Sequence, residues 1–248
     1  MLILAIETTG PLASVALTDG KTYKQLINDS DYSHLEETVP MVKKLMEQEG
    51  VKPDELDAVA VSRGPGSFTG VRIGMATAKG LALIWKKPVI CVPTLESFAY
   101  GETSEGPGTV LAPMFDARRS QTYAAAFVRA DDGSVTEIIP GAACDTDEFF
   151  AMLAALFPEH PKLERVKFFG DGIKAFSEKI EAFGYPNSCA PEGERFQTAD
   201  KVARLAVKMF EEGRVTDTYS CEPDYMRLPE AERKLKEKLA AQTSEAAE

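Results

Sequence analysis

Residues 62–74 have the sequence SRGPGSFTGVRIG and join a short apolar run, Ala58–Val61, to a long pattern of apolar and small residues, Val71–Trp85. The glycines of this stretch permit backbone conformations that other residues avoid, which predicts a tight turn between a strand and a helix. Such a turn can hold an anion on the free N–H groups at a helix start. The phosphate motifs themselves are absent, because Val71 follows the last glycine of a would-be Walker A loop and Thr69 ends a would-be G-x-G-x-x-G.

The predicted helix after this turn carries a stripe of small residues at every fourth position, namely Gly70, Gly74, Ala78 and Ala82. Residues four apart lie on one face of a helix. A face of small residues allows another helix, or the sheet beneath it, to approach closely. The stripe therefore fits a subunit interface or internal packing, and the sequence leaves both open.

Composition excludes several classes of protein. The chain has 248 residues and a net charge of −11, which allows a sizeable core but argues against unaided binding to a phosphate backbone. No run of about 20 apolar residues is present, and Leu2–Ile6 has no basic leader, so we expect a cytoplasmic protein without membrane association. The four cysteines are scattered without a C-x-x-C pair, which argues against a disulfide framework, and Cys91 in its apolar strand is expected in the core.

The order of elements is repeated in the two halves of the chain. Three strand patterns within 2–27 precede a helix over 34–49 and the strand Ala58–Val61, and strands within 110–139 precede a helix and a further strand within 146–169. This repeat resembles the duplicated ribonuclease-H-like fold of actin, sugar kinases and heat-shock ATPases. We therefore predict an α/β protein with two mixed sheets and flanking helices.

The predicted halves span residues 1–104 and 105–229, and their join lies near Gly101–Gly108, where Gly, Ser, Glu and Pro cluster. Residues 230–248 form a charged tail that we expect to be partly disordered. Pro40 inside the first helix predicts a kink or a restart there.

Five segments, in the right order, resemble the TsaB family, bacterial partner proteins in tRNA threonylcarbamoyladenosine synthesis. The Gly-rich stretch is the most specific of them, and the others are LAIETTG, SHLEETVPM, FDARRSQTYAAAF and PDYMRLPEAE. The resemblance implies a non-catalytic scaffold that pairs with the transferase TsaD and the ATPase TsaE and reaches tRNA only through that complex. The complex would modify the adenosine beside the anticodon in tRNAs that read codons beginning with A.

The resemblance also implies where a metal site would lie. The paralogue TsaD carries a His-x-x-x-His pair after the strand that follows the Gly-rich helix, and Thr94 and Phe98 occupy those positions here. A phenylalanine side chain cannot bind a metal. Because the only two histidines, His34 and His160, are far apart in the sequence, we expect no metal and no catalytic residue in this chain.

Nucleotides bind proteins of the duplicated fold through two hairpins and a later loop. The corresponding residues here are Glu7, Thr8, Thr9, Gly10, Asp116, Arg118, Gly170, Asp171 and Gly172. Glu7 is longer than the usual aspartate, and Arg118 stands where close approach calls for glycine. We therefore expect ATP or ADP to bind only weakly, or at an interface within the complex. A stand-alone ATPase or kinase remains the alternative, and a glycoprotease-like hydrolase is a minor one because no G-x-S-x-G elbow is present.

The candidate partner surface lies on two helices that we expect to pack side by side. Its residues are Leu35, Val39, Val42 and Met46 on the first helix and Gly70, Gly74, Ala78 and Ala82 on the second, with Arg72 at the rim. Two such helix pairs could form a four-helix bundle with TsaD. Without TsaD, the same surface would form a symmetric homodimer.

Overall fold

The computed structural model describes residues 1–28 and 34–226 and contains two five-stranded sheets. The first sheet has the order β3-β2-β1-β4-β5 and contains β1 (Ile3–Glu7), β2 (Ala13–Thr18), β3 (Tyr23–Asn28), β4 (Ala58–Gly64) and β5 (Val89–Pro93). The second has the order β10-β9-β6-β7-β8 and contains β6 (Thr109–Asp116), β7 (Gln121–Arg129), β8 (Val135–Asp145), β9 (Arg165–Phe169) and β10 (Asn187–Cys189). In each sheet the first three strands form an antiparallel meander, and the last two are parallel to the first strand. This repeated order confirms the predicted duplicated ribonuclease-H-like fold.

Seven helices flank the sheets in the described part of the chain. They are α1 (His34–Glu49), α2 (Phe68–Trp85), α3 (Thr94–Gly101), α4 (Thr146–Glu159), α5 (Gly172–Ala175), α6 (Ser177–Glu181) and α7 (Ala199–Glu211), and a short 3-10 turn covers Pro53–Glu55. Helix α1 runs through Pro40 without the predicted restart. Since Pro40 is exposed, the carbonyl left without a partner by its missing N–H can bind water. Two short helices, α5 and α6, follow β9, and the sequence pattern did not predict β10.

Both faces of the first sheet are buried under helices. Alternate residues of a strand point to opposite faces, so Leu4 and Ile6 pack with α1 and α2, whereas Ile3 and Ala5 pack with α7. Helix α7 therefore belongs to the first sheet, although it lies within the predicted second half, 105–229. Conversely, α3 packs against β6 and β7 of the second sheet although it precedes the predicted join. Residues 101–108, where the join is predicted, lie between the end of α3 and the start of β6, and the predicted tail, 230–248, lies outside the described residues.

The segment between the sheets is held by nearly buried charges. The Lys167 ammonium on β9 lies 2.6 Å from a Glu102 carboxylate oxygen and 3.2 Å from one of Glu105. Arg165 also pairs with Glu105. These ion pairs attach the connection to the second sheet.

The cysteines differ from the prediction at one place. Cys91 on β5 forms a disulfide with Cys221, 130 residues later, instead of remaining a core thiol. Spacing could not reveal this pair, because Cys221 lies in an irregular segment that carries no strand or helix pattern. Cys144 and Cys189 are free.

No helix among the described residues is long and apolar enough to cross a membrane.

Candidate partner interface and cleft

The Gly-rich turn between β4 and α2 is closed by its own hydrogen bonds. Ser67 caps α2, since its hydroxyl accepts from the Gly70 N–H at 3.3 Å, and the Ser67 N–H donates to the Thr9 carbonyl at 2.8 Å. The Thr8 hydroxyl donates to the Gly70 carbonyl at 2.7 Å. The turn is therefore docked on the loop after β1, and two N–H groups that an anion would need already have partners.

The small-residue stripe of α2 faces this loop and the sheet. A β-carbon on Gly74 would lie 2.5 Å from the Thr8 hydroxyl oxygen and 3.4 Å from a methyl carbon of Val61. Ala78 and Ala82 are fully buried in the same core. The prediction that Gly70, Gly74, Ala78 and Ala82 form the partner surface is wrong, because docking of the turn directs this face of the helix inward.

Helix α1 divides its predicted apolar face between core and solvent. Val42 and Met46 are buried in the core of the first sheet, which corrects their assignment to the surface. Leu35 and Val39 are exposed by 71% and 47%. Only the N-terminal part of α1 therefore presents apolar side chains outward.

A different stripe of α2 is exposed, and its residues lie two positions after those of the predicted stripe. Ala76 and Gly80 are exposed, Leu83 and Ile84 are 56% and 75% exposed, and Ile73 is half-buried. A β-carbon on Gly80 would meet nothing within 4 Å. We call the exposed apolar surface the α1–α2 face, defined by Leu35 and Val39 of α1 with Ile73, Ala76, Gly80, Leu83 and Ile84 of α2. The sequence did contain one signal for this exposed face: Leu83 and Ile84 are large apolar residues that do not belong to the small-residue stripe.

Arg72 lies at one end of this face and is held by aromatic rings. Its guanidinium carbon is 3.8 Å from the centroid of the Phe68 ring, and its Nε donates to the Tyr225 hydroxyl at 3.0 Å. Phe68 and Tyr225 are themselves 5.2 Å apart between ring centroids. The stacking holds an exposed cation in a fixed position beside an apolar surface.

A cavity of about 760 Å³ opens beside the α1–α2 face, between the two sheets. Thr9, Gly10, Asp116, Arg118 and Asp171 line it, together with Leu35, Ile73 and Gln197. The other predicted nucleotide residues do not line it. Glu7 and Thr8 are buried, and Gly170 and Gly172 pack against the Met114 carbonyl.

The charged groups in and beside this cleft are largely engaged by hydrogen bonds and ion pairs. Glu7 is fully buried, and it accepts hydrogen bonds from the Thr9 N–H and the Ser62 hydroxyl. Burial raises the pKa of Glu7 above its ordinary value. Asp171 accepts from the Asp116 N–H at 3.1 Å, and Asp116 pairs with Arg118 at 3.2 Å. Burial is also the main cause that raises the pKa of Asp171.

The two positions at which the sequence analysis looked for a metal site, 94 and 98, are occupied by packed side chains. The Thr94 hydroxyl accepts from the Gly64 N–H at 3.2 Å. Phe98 is fully buried, with its ring centroid 5.7 Å from those of Phe115 and Phe169. Within 1–28 and 34–226, no three His, Cys, Asp or Glu side chains are grouped to hold a metal.

Two repeated sheets with a cleft between them define a protein of the duplicated ribonuclease-H-like class. The solved structure of YeaZ from Pseudomonas aeruginosa has this fold, with a TM-score of 0.74 and 24% identity over 91% of this chain and 100% of that one. A family model described as "TsaD: tRNA N6-adenosine threonylcarbamoyltransferase" matches residues 28–244.

Two curated relatives match along nearly their whole length. The tRNA threonylcarbamoyladenosine biosynthesis protein TsaB of Escherichia coli K12 is 31% identical over 242 residues, which cover 95% of this chain and 98% of that protein. The protein of the same name from Bacillus subtilis is 30% identical, over 94% of this chain and 97% of that protein. The chain therefore belongs to the TsaB proteins of the tRNA N6-adenosine threonylcarbamoyltransferase family.

Proposed function

We propose that this chain is a non-catalytic subunit in the synthesis of tRNA threonylcarbamoyladenosine, and that it acts by binding a TsaD-type transferase through the α1–α2 face. The names of its relatives support the pathway. The observation that carries the proposal is the exposed apolar surface itself, on which Leu35, Leu83 and Ile84 are all more than half exposed. Contiguous exposed apolar surface of this kind marks interaction sites.

The shape of the surface supports a helical partner. Gly80 has open space above it, so the backbone of α2 can be approached closely at the middle of the face. Large side chains flank this point, and burial of each of them contributes about 1.5–3 kcal/mol to association. Two such helix pairs form a four-helix bundle. In the absence of the transferase, a second copy of this chain covers the same face as a symmetric homodimer.

The site residues support a scaffold instead of a catalyst. Phe98 fills the position of the paralogue's second histidine and packs between two other rings. The net charge of −11 supports contact with tRNA through the complex, not by this chain alone. We extend the proposal to TsaE as a third component and to the cytoplasm as the location.

The cleft is a poor fit for a nucleotide held as kinases of this fold hold it. Glu7, which would face a metal, is enclosed and accepts two internal hydrogen bonds. Two carboxylates and one arginine line the opposite side. We therefore propose that this chain has no cofactor of its own, and that any ATP or ADP is bound with the help of the partner. Calorimetric titration with ATP and magnesium, with and without the transferase, tests this point.

Gly80→Leu tests the surface. We expect this variant to fold normally and to lose both homodimer and transferase binding, because leucine fills the space that a partner helix needs. Ala155→Leu, on the exposed side of α4, is the control and should bind normally. Sedimentation velocity and pull-down with the transferase of the same cell measure both interactions. Unchanged affinity of Gly80→Leu would place the interface elsewhere, and transferase activity of the chain alone would refute the non-catalytic role.

A further inference from the structure

Arg72 is exposed and keeps two nitrogens open toward solvent. Its Nε donates to the Tyr225 hydroxyl, and one flat side of its guanidinium lies on the Phe68 ring. Neither of its outer nitrogens has an acceptor in the described part of the chain. A guanidinium with both outer nitrogens open matches the two oxygens of a carboxylate.

The chain on both sides of Tyr225 is anchored in the two cores. Cys221 is fully buried in the core of the first sheet, and Met226 packs on a core cluster of the second. Between them, the Asp224 N–H donates to the Arg63 carbonyl at 2.7 Å. The rings therefore hold the guanidinium in place before any partner binds, which reduces the side-chain freedom lost on binding.

The α2 side of the α1–α2 face is basic. Residues 63–87 include five cations and no acidic residue. Arg63, Lys79 and Lys87 already have oxygen partners within the described chain. Arg72 and Lys86 are exposed and lie near opposite ends of α2.

The α1 side of the face is acidic. Glu36 and Glu47 are exposed, and they lie three residues before and eight residues after Val39, which places all three on one side of the helix. Lys43 lies between the two glutamates and pairs with Glu47 at 3.8 Å. The net charge of this rim is therefore that of Glu36.

Helices α1 and α2 run in the same direction. Each connects two strands of the first sheet that are parallel to each other. Leu35 and Ile73 line the same cavity, so the N-terminal ends of the two helices are adjacent. Two copies of such a face can pack about a two-fold axis in two limiting ways. An axis along the helices places α1 of each copy over α2 of the other, whereas an axis across them places like helices on each other.

Charge distinguishes these two arrangements. Like helices on each other are antiparallel, which brings Arg72 toward Lys86 of the second copy. With α1 over α2, the N-terminal ends coincide, and Arg72 faces Glu36 of the second copy. Opposed like charges are costly, and complementary charges fix the orientation of a partner.

We infer that α1 of a second copy lies over α2 and that Arg72 binds the Glu36 carboxylate of that copy. The inference rests on the homodimer proposed above, and it names the contact that orients it. Because the axis is two-fold, the contact is made twice in each dimer.

Exchange of the two charges tests the contact by sedimentation velocity. Arg72→Glu and Glu36→Arg each place like charges together at both contacts, so the dissociation constant of the homodimer should rise by at least about tenfold. An equimolar mixture of the two variants should dimerise again, because each contact of the heterodimer then joins opposite charges. Lys162→Glu reverses an exposed charge outside the face and should leave the homodimer unchanged.

Several results would overturn the inference. A mixture that stays monomeric, or an Arg72→Glu variant that dimerises like the parent, excludes the contact. A tighter dimer of Arg72→Glu would show the other arrangement, in which the new glutamate faces Lys86. A parent chain that is monomeric at all concentrations excludes the homodimer itself.

The role of the rings has its own measurement. Phe68→Leu keeps the charge of Arg72 but removes the surface on which its guanidinium rests. We expect a smaller loss of dimer than in Arg72→Glu. The parent dimer should weaken as salt is added, whereas Arg72→Gln should remove most of this dependence. A salt dependence that is the same in the parent and in Arg72→Gln contradicts the inference.

Gly80→Leu separates this inference from the proposed function. If Gly80→Leu loses both the homodimer and the transferase while charge exchange has no effect, the α1–α2 face is the interface and the Arg72 contact is wrong. If Gly80→Leu binds both normally, the face itself is wrong. If Arg72→Glu loses the transferase but keeps the homodimer, the carboxylate belongs to the transferase, which overturns the assignment to a second copy.

Discussion

Gly70 on α2 packs directly against the backbone of Thr8, so that a β-carbon on Gly70 would overlap the Thr8 carbonyl oxygen. The Thr8 hydroxyl in turn donates to the Gly70 carbonyl at 2.7 Å. This contact joins the start of α2 to the loop after β1 and fixes the rotation of the helix. The Gly-rich motif therefore acts first as a packing device, and the exposed α1–α2 face is its consequence.

Gly70 and Gly80 of α2 have different surroundings, so replacing each by alanine should change the free energy of unfolding in opposite directions. Gly70→Ala forces the helix away from Thr8, and overpacking of this kind costs about 1–3 kcal/mol. Gly80→Ala meets no atom within 4 Å and should stabilise the protein by about 0.8–1 kcal/mol through helix propensity. Urea unfolding of both variants measures the difference. Equal free energies of unfolding would show that α2 does not pack closely on the loop after β1.

Lys167 should be the charge whose removal harms the fold most. Its ammonium serves two nearly buried carboxylates, those of Glu102 and Glu105. Lys167→Met leaves Glu102 without an ion-pair partner and Glu105 with Arg165 alone, and loss of one partner of a buried pair costs about 3–5 kcal/mol. Thermal and urea unfolding provide the measurement.

An exposed pair supplies the control for that variant. Lys179→Met removes the partner of Asp147, which is 80% exposed, and such surface pairs contribute about 0–1 kcal/mol. Adding Glu102→Gln to Lys167→Met should recover part of the lost stability. If the two lysine variants unfold alike, the connection between the sheets is not held by these charges.

A glycine at position 120, in the turn between β6 and β7, should stabilise the protein. Arg118, Arg119 and Ser120 all have positive φ, and Ser120 is exposed with φ of 60°. The left-handed conformation costs an L-residue about 1–2 kcal/mol, whereas glycine loses about 0.5–1 kcal/mol through chain entropy. Ser120→Gly should therefore stabilise the protein by up to about 1 kcal/mol, and its carbonyl contacts with Thr146 are kept.

Gly133→Ala is the matched variant, and it should destabilise the protein. Its φ is 82°, and a β-carbon there would meet only Arg129, at 3.9 Å, so the loss should come from the backbone alone. Differential scanning calorimetry of both variants gives the comparison. A destabilising Ser120→Gly would mean that the positive φ is not strained in this turn.

Most of the fold could be predicted from the pattern of apolar residues, because that pattern marks each strand and helix locally. Helix α1 was predicted with the bounds it has, and the repeated order of strands gave both sheets. The placement of α7 on the first sheet could not be predicted, since it depends on which sheet face remains uncovered. Its pattern of apolar residues is the same for either sheet.

The candidate site was harder to predict because orientation depends on tertiary contacts. The stripe that begins at Gly70 and the exposed stripe through Gly80 lie on one helix with the same spacing. Only the contact with Thr8 decides which of them faces inward. In the same way, nothing local to Glu7 shows that Ser62, 55 residues later, encloses its carboxyl group.

Glu7 should make stability depend on pH. Burial raises the pKa of its carboxyl group above the ordinary value of 4.5, and this effect outweighs the hydrogen bonds from Ser62 and Thr9, which lower it. The folded protein therefore keeps the proton at a pH where the unfolded chain has lost it. Stability consequently falls as pH rises from about 4.5 through the folded pKa.

Glu7→Gln should remove this fall, because glutamine keeps an acceptor for the Thr9 N–H and gains a donor for the Ser62 hydroxyl without a charge to bury. The variant should thus gain more stability relative to the parent at pH 8 than at pH 5, as measured by urea unfolding. Asp19→Asn is the control, since hydrogen bonds from Thr22 and Lys21 lower the pKa of Asp19 to about 2. Asp19 is ionised in both states at pH 5 and pH 8, so its replacement should have the same effect at each. If the effect of Glu7→Gln is also the same at the two pH values, the Glu7 carboxyl does not carry its proton in the folded protein over this range.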